Sequence, residues 1–217
     1  MRLRNSQGRF TWFAAATAFL SGACIAAASE APRADLIWVQ AQVADASDRA
    51  YEAVAIDLID HAASSIALGM YYLKEGEDDR HPVSRLLRDL LEAAKRGVQV
   101  GVYLNTKFSG EGIARLDTPW LTRLQAAGAK VTLFPPVRRW HGKLLIVDER
   151  YVLEGSANWS VEAITTNGES NTVMDSPPLA RQKLAHLRTW ATTASKSASD
   201  PAVELNWPPL KIWRSLC

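Results

Sequence analysis

The chain has 217 residues, with 25 basic side chains, 23 acidic side chains and two cysteines. This near balance excludes a basic field over the whole molecule, so any electrostatic binding surface must be a local cluster of charges. One cysteine, Cys24, lies in a predicted export signal. Only Cys217 would remain after cleavage, which excludes an internal disulfide and leaves the fold to its hydrophobic core.

The first 28 residues have the features of a secretory signal peptide. Three arginines precede an apolar stretch at 10–25, and three alanines at 26–28 form a small-residue cleavage site. Polar residues interrupt the stretch, which is only marginally long enough to cross about 30 Å of hydrocarbon. Cleavage, with a periplasmic or secreted product, is therefore favoured over a retained anchor. Lipidation of Cys24 is a minor alternative, because Leu20 lies four residues before the cysteine and a lipobox has it three before.

Strand-like and helix-like segments alternate from residue 35 onward. Predicted strands are rich in apolar and β-branched residues and cover 35–40, 65–73, 98–104, 130–134, 143–148, 151–154 and 170–174. Predicted helices cover 51–63, a segment from Pro82 to the glycine at 97, 119–127 and 177–194. This alternation favours an α/β fold built in layers.

One segment carries six residue types that are associated with phosphate chemistry, at the spacing HxKxxxxDxxxxxxGSxN. They are His141, Lys143, Asp148, Gly155, Ser156 and Asn158. The pattern occurs once, because the other three histidines have no lysine two residues later. Six specified positions make this a far more specific signal than a two- or three-residue motif.

Strand geometry separates the motif residues. Side chains alternate faces along a strand, so His141 and Lys143 point one way and Asp148 the other. Asp148 is therefore predicted to be structural, pairing with a base or capping backbone amides, with a plain turn aspartate as the alternative. Gly155 is predicted to allow a close approach of the backbone or an unusual φ.

A neutral imidazole can attack phosphorus, so His141 is predicted to form a phosphohistidine that water then hydrolyses. The leaving oxygen needs a proton from a second group, and another histidine is the natural acid. Since the chain has one such histidine, a two-fold homodimer that faces two copies of His141 is the economical arrangement. Lys143, Ser156 and Asn158 are predicted to hold the phosphate oxygens. Taken singly, each is an ordinary turn or surface residue.

The segment is similar to the active-site region of the phospholipase D superfamily, and in particular to single-motif bacterial endonucleases. The resemblance extends to chain length, an export signal and the segment Asn167-Gly168-Glu169 before a strand. It implies that Glu169 orients His141. It also implies a mixed β-sheet flanked by helices on both faces, a composite site in a homodimer, and phosphodiester cleavage without a metal or other cofactor. No HExxH, cysteine cluster or EF-hand loop is present in the sequence.

The substrate is predicted from neighbouring residues. Arg138, Arg139 and Trp140 precede His141, and Lys107-Phe108 begins a loop that could cover the site. In the first interpretation, these basic and aromatic groups bind a nucleic-acid strand. In the second, they bind a lipid headgroup, because a choline would also favour tryptophan faces. In the third, Trp140 is a core residue and the arginines belong to a solvated turn. A nuclease is favoured over a phospholipid hydrolase. A catalytically silent binding module is hard to reconcile with the complete motif.

The predicted organisation has three parts. They are the signal peptide at 1–28, a phospholipase D-like catalytic domain at 29–194, and a C-terminal linker and aromatic tail at 195–217. The tail contains Trp207 and Trp213 and is expected to dock on the domain, with membrane contact as a weaker alternative. Cys217 could bridge two chains in an oxidising compartment.

Overall fold

A computed structural model describes residues 36–75, 80–105, 119–134 and 139–197, with side chains described to residue 192. The chain divides into two units, Met1–Ile37 and Trp38–Cys217, and the following fold belongs to the second. The predicted signal peptide, Arg138, the loop at 107–112 and the aromatic tail with Cys217 lie outside the described residues.

Seven strands form one sheet in the described part of the chain. They are β1 Gln42–Asp45, β2 Ser65–Met70, β3 Gln99–Asn105, β4 Lys130–Phe134, β5 Lys143–Val147, β6 Tyr151–Gly155 and β7 Asn171–Asp175. Their spatial order is β1-β7-β6-β5-β2-β3-β4. The pairs β2-β3 and β3-β4 are parallel, and the other four pairs are antiparallel. The predicted mixed sheet is confirmed.

Helices cover both faces of this sheet. They are α1 Ala50–Asp60, α2 Pro82–Lys95, α3 Pro119–Ala126, α4 Val161–Thr165 and α5 Pro177–Ser197. Alternation along β2 shows the two layers, because Ile66 and Leu68 pack in a cluster with α1 to α4, whereas Ala67 packs with α5. The predicted α/β fold with helices on both faces is therefore confirmed. Within the described ranges, no helix combines the length and apolarity needed to cross a bilayer.

Helix α2 illustrates how local sequence sets the elements. Pro82 occupies the start, where no amide donor is needed, and the Val83 amide donates to Nδ1 of His81 at 3.3 Å. The side chains of Leu86, Leu87 and Leu90 on its apolar stripe are fully buried, and Leu91 is partly buried. The helix ends before Gly97, whose φ of +93° a residue with a side chain rarely adopts.

Some predicted bounds differ from the structure. Residues 36–41 have no regular secondary structure, and the first strand is β1 at Gln42–Asp45, so the strand predicted at 35–40 is wrong. All four β1 residues are exposed because β1 lies at the sheet edge, where no apolar run is required. Helix α5 continues to Ser197, three residues into the predicted linker. Helix α4 was not predicted, and its five residues are too few for a periodic signal.

Candidate active site

The motif residues other than Asp148 lie together at one end of the inner strands β5 and β6. Lys143 begins β5, opposite Met70 at the end of β2. Gly155 ends β6, opposite Asn171 at the start of β7. Since adjacent antiparallel strands run in opposite directions, the segment before β5 and the segment after β6 lie side by side, and they carry His141 and Ser156.

His141 and Lys143 are in direct contact. The Lys143 ammonium donates to the carbonyl oxygen of His141 at 2.9 Å, and its Nζ lies 3.4 Å from Nδ1 of the imidazole. His141 is exposed, and Lys143 is half-buried. The pKa of His141 is lowered, first by burial and then by the positive charges of Lys143 and Arg139. These causes favour the neutral imidazole, which is the nucleophilic form.

Lys143 also interacts with Glu169. Burial lowers the pKa of the Lys143 ammonium, and the negative charge of Glu169 partly offsets this effect. The lysine therefore lies in a partly desolvated position between an imidazole and a carboxylate. An ammonium in such a position is well suited to bind an anionic phosphate oxygen, because water competes less for its N–H donors.

The carboxylate of Glu169 is held by residues other than His141. The hydroxyl of Ser156 donates to it, and Nδ2 of Asn167 donates to its other oxygen at 3.1 Å. The Ser170 amide in turn donates to the Ser156 hydroxyl at 3.0 Å. The expected bond from Glu169 to Nδ1 of His141 is not formed, because Nδ1 faces Lys143 instead. Glu169 instead interacts electrostatically with Lys143, which contacts the histidine.

The turn between β1 and α1 fixes the backbone that carries Glu169. Asp48, with φ of +51°, donates its amide to the Glu169 carbonyl at 3.0 Å and accepts from the Glu169 amide at 2.7 Å. The guanidinium of Arg49 donates to the Ile164 carbonyl at 2.7 Å and to the Asn167 carbonyl. These residues were not predicted, since they are brought to the site only by the pairing of β1 with β7.

Gly155 allows β6 to approach the start of β7. A Cβ at this position would lie 2.2 Å from the Ser170 carbonyl oxygen and 2.4 Å from Oδ1 of Asn171. The glycine therefore serves a close approach within the protein. Asn171 is buried, and its Oδ1 accepts from the Ala157 amide at 3.1 Å, which shapes the turn leading to Asn158. The Oδ1 of Asn158 is buried and has no hydrogen-bond partner among the described residues.

Trp140 is a core residue, which matches the third interpretation of the sequence and not a ring exposed for stacking. It is 8% exposed and packs between Phe134, His186 and Trp190, with ring centroids 5.6 to 6.2 Å apart. Arg139 is exposed beside the site. Trp140 is also clamped by Asn105, which was not predicted: its Oδ1 accepts from the Trp140 amide at 2.9 Å, and its Nδ2 donates to the Trp140 carbonyl at 2.8 Å.

Asp148 lies at the far end of β5 from the site. Its carboxylate accepts hydrogen bonds of 2.7 to 2.9 Å from the amides of Ala63, Ser64 and Ser65 and from the Ser64 hydroxyl. These four bonds tie the turn after β5 to the segment that leads into β2. The contacts are structural, and they correspond to the amide-capping alternative.

A groove of about 510 Å³ runs from Lys143 along α5. Leu144 and Met174 form an apolar part of its lining, and Lys183 and His186 of α5 line it as well. The Lys183 ammonium donates to both carboxylate oxygens of Glu154, at 2.7 and 2.9 Å, so this pair adds little net charge. In the described ranges, no group of three or more histidine, cysteine, aspartate or glutamate residues is arranged to hold a metal ion.

Comparison with known proteins places the site in a family. The family described as cardiolipin synthase, PLD-like domain matches residues 55–190. Cardiolipin synthase B of Salmonella typhi is 29% identical over 140 residues, which cover 59% of this chain and 32% of that protein. Phospholipase D of Rickettsia bellii is 26% identical over 141 residues, which cover 65% of this chain and 62% of that protein. The chain thus spans less than two thirds of the length of either relative.

Among solved structures, Nuc from Salmonella typhimurium, a phospholipase D family member, has a similar fold. The TM-score is 0.58 at 23% identity, and the likeness covers 72% of this chain and 96% of Nuc. The family match contains the whole HxKxxxxDxxxxxxGSxN motif and the strands β5 and β6 that carry the site residues at their ends. The chain therefore belongs to the phospholipase D superfamily.

Proposed function

We propose that the protein is an exported, metal-independent endonuclease that hydrolyses phosphodiester bonds of DNA or RNA through a phosphohistidine on His141. The observation that carries this proposal is the contact between His141 and Lys143. An exposed imidazole with a lowered pKa lies beside an ammonium that can bind a phosphate oxygen. Histidine supplies the nucleophile, and lysine supplies the positive charge.

The proposed reaction has two displacements. Nε2 of His141 attacks phosphorus, the bond from phosphorus to the leaving oxygen breaks, and that oxygen takes a proton from a general acid. Water then attacks phosphorus, the phosphorus–nitrogen bond breaks, and a proton of the water returns to the same group. The products are a phosphomonoester and a free hydroxyl. In the proposed homodimer the general acid is the partner's His141.

Lys143 must change its contact during the first displacement. A neutral imidazole carries one N–H, so Nδ1 must hold the proton while Nε2 attacks. The approach of the Lys143 ammonium to Nδ1 at 3.4 Å favours the opposite tautomer. We propose that substrate binding draws Lys143 away from Nδ1 and onto a phosphate oxygen. Ser156 and Asn158 supply further donors to the phosphate in this proposal, and the single hydroxyl proton of Ser156 must leave Glu169 to do so.

Nucleic acid is the favoured substrate because Arg139 is exposed next to His141 and the motif resembles that of single-motif endonucleases. A phospholipid is the second candidate substrate, and two observations support it. The relatives carry the names cardiolipin synthase and phospholipase D. The groove beside Lys143 also has an apolar part and contains a neutralised Lys183–Glu154 pair, which would suit an uncharged leaving group.

One set of assays tests the proposal. Residues 29–217 are purified with and without His141→Asn, and plasmid DNA, RNA, phosphatidylcholine and cardiolipin are assayed in parallel with excess EDTA. We expect nucleic-acid cleavage that His141→Asn abolishes. The matched control is His61→Asn, which changes an exposed histidine after α1 and should retain full activity. Turnover of lipid alone would replace the nuclease by the second candidate, and loss of all cleavage in EDTA would exclude the metal-independent mechanism.

A further inference from the structure

Tyr71 lies against both catalytic side chains. It directly follows β2, and the last β2 residue, Met70, pairs with Lys143. The Tyr71 ring centroid is 4.2 Å from that of the His141 imidazole, with 49° between the ring planes. Nζ of Lys143 is 4.9 Å from the same Tyr71 centroid. One half-buried ring therefore contacts the proposed nucleophile and the proposed phosphate-binding cation.

We infer that Tyr71 is a positioning residue that orients the His141 imidazole and keeps the Lys143 ammonium beside it. An exposed imidazole can rotate about two side-chain bonds unless neighbouring groups restrict it. Glu169 does not restrict it, because its carboxylate is bound by Ser156 and Asn167. Among the contacts described for this ring, those with Tyr71 and Lys143 are the ones available to orient it.

The backbone at Tyr71 is fixed to the backbone that carries His141. Nδ2 of Asn105 donates to the Tyr71 carbonyl at 3.0 Å and to the Trp140 carbonyl at 2.8 Å. Asn105 is 3% exposed, so breaking these bonds would leave buried polar groups unpaired. One buried amide thus sets the distance between the tyrosine and the residue before His141. The contact between the Tyr71 and His141 rings therefore depends on backbone segments that Asn105 holds together, and not only on the two side chains.

The ring also covers part of the imidazole surface, while the rest of the His141 side chain is exposed. Among the described residues, His141 contacts the Tyr71 ring and Lys143 and interacts electrostatically with Arg139, and Lys143 in turn interacts electrostatically with Glu169. Burial is the largest cause that lowers the His141 pKa. Removing the ring would rehydrate the imidazole, so the His141 pKa should rise. Because attack requires the neutral form, the acid limb of the pH–rate profile should move to higher pH.

The test uses Tyr71→Leu, with Tyr71→Phe as the conservative variant and Tyr72→Leu as the matched control. Tyr72 is the adjacent half-buried tyrosine, and its carbonyl accepts from the Trp159 amide. The Hε1 resonance of His141 is followed by NMR through a pH titration and assigned by its disappearance in His141→Asn. Turnover of bis(p-nitrophenyl) phosphate gives kcat and KM over the same pH range.

We expect Tyr71→Leu to shift the His141 resonance, raise its pKa and lower kcat about tenfold with little change in KM. Tyr71→Phe should restore the wild-type resonance and pKa, and Tyr72→Leu should leave them unchanged. A wild-type His141 resonance and titration in folded Tyr71→Leu would overturn the inference. The kinetic part rests on the proposed function, whereas the NMR titration does not. An inactive wild-type enzyme would therefore contradict the proposed function without deciding the role of Tyr71.

Discussion

At the scale of single residues, the two ends of β5 have different roles. Lys143 begins the strand in contact with His141, whereas Asp148 follows its last residue and binds the amides before β2. The proposed phosphate chemistry therefore involves only the end of β5 that carries Lys143. The motif includes residues at both ends because a single strand, β5, connects the proposed catalytic pair to Asp148.

Asp148→Asn should destabilise the fold without changing the chemical step. Asparagine tolerates the φ of +54° at this position, so the variant mainly removes the charge and some acceptor capacity. Loss of charge-assisted hydrogen bonds should lower the free energy of unfolding by about 1–3 kcal/mol at neutral pH. Urea unfolding of the purified variant measures this loss, and kcat of the folded variant should match that of wild type.

The loss should also depend on pH. Burial would raise the pKa of Asp148, but hydrogen bonds from Ala63, Ser65 and Ser64 outweigh burial and lower it below the ordinary 3.8. A carboxylate with a lowered pKa stabilises the folded state at any pH above its unfolded-state pKa. This contribution disappears as the pH falls through the folded-state pKa. The difference between wild type and variant should therefore narrow below about pH 4. If Asp148→Asn lowers the free energy of unfolding equally at pH 7 and at low pH, this account is contradicted. Glu149→Gln, which removes the neighbouring carboxylate, is the control.

At the scale of elements, the close approach of β6 to β7 assembles the side of the site that is proposed to bind phosphate. Gly155 ends β6 against the Ser170 carbonyl, and the segments on either side carry Ser156 and Glu169. The two segments are joined by the hydrogen bond between Ser156 and Glu169. Their spacing is thus a property of a strand pair and not of either residue alone.

Gly155→Ala should disrupt this spacing. The added Cβ would lie 2.2 Å from a backbone oxygen, so β7 must shift away from β6. We expect a fall in kcat of about tenfold or more, together with a lower melting temperature. Gly168→Ala is the matched control in the segment between α4 and β7, because a Cβ there meets nothing within 4 Å. Equal effects of the two substitutions would show that the close approach is not what matters.

The helices and strands could be predicted where the apolar residues follow a strong local pattern. Site residues could be predicted where they belong to the motif of fixed spacing. The apolar stripe of α2 and the alternation of β4 located both elements, and β4 has the predicted bounds. Asn105, Tyr71 and Asp48 were not predicted as site residues. Asn105 bonds to Trp140 across 35 residues, and Asp48 bonds to Glu169 across 121, so only the sheet topology brings them together. No local pattern encodes such contacts.

At the scale of the whole molecule, a single copy of the motif supplies the nucleophilic histidine of the proposed mechanism but not the general acid. The described site contains one histidine in contact with Lys143, while two displacements need both a nucleophile and an acid. A two-fold dimer would provide the second histidine without any further residue from this chain. The arrangement makes a quantitative prediction about mixed chains.

In the proposed dimer, each active site uses His141 from both chains, so a dimer with one His141→Asn chain should be inactive. After subunit exchange in an equal mixture, about one quarter of the dimers contain two wild-type chains, whereas independent sites would leave about one half of the activity. We therefore expect activity at fixed total protein to fall with the square of the wild-type fraction, measured with bis(p-nitrophenyl) phosphate after co-refolding. Mixtures with His61→Asn should keep full activity. A linear fall with His141→Asn would show that one chain carries a complete site, and the general acid would then have to be a residue of the same chain.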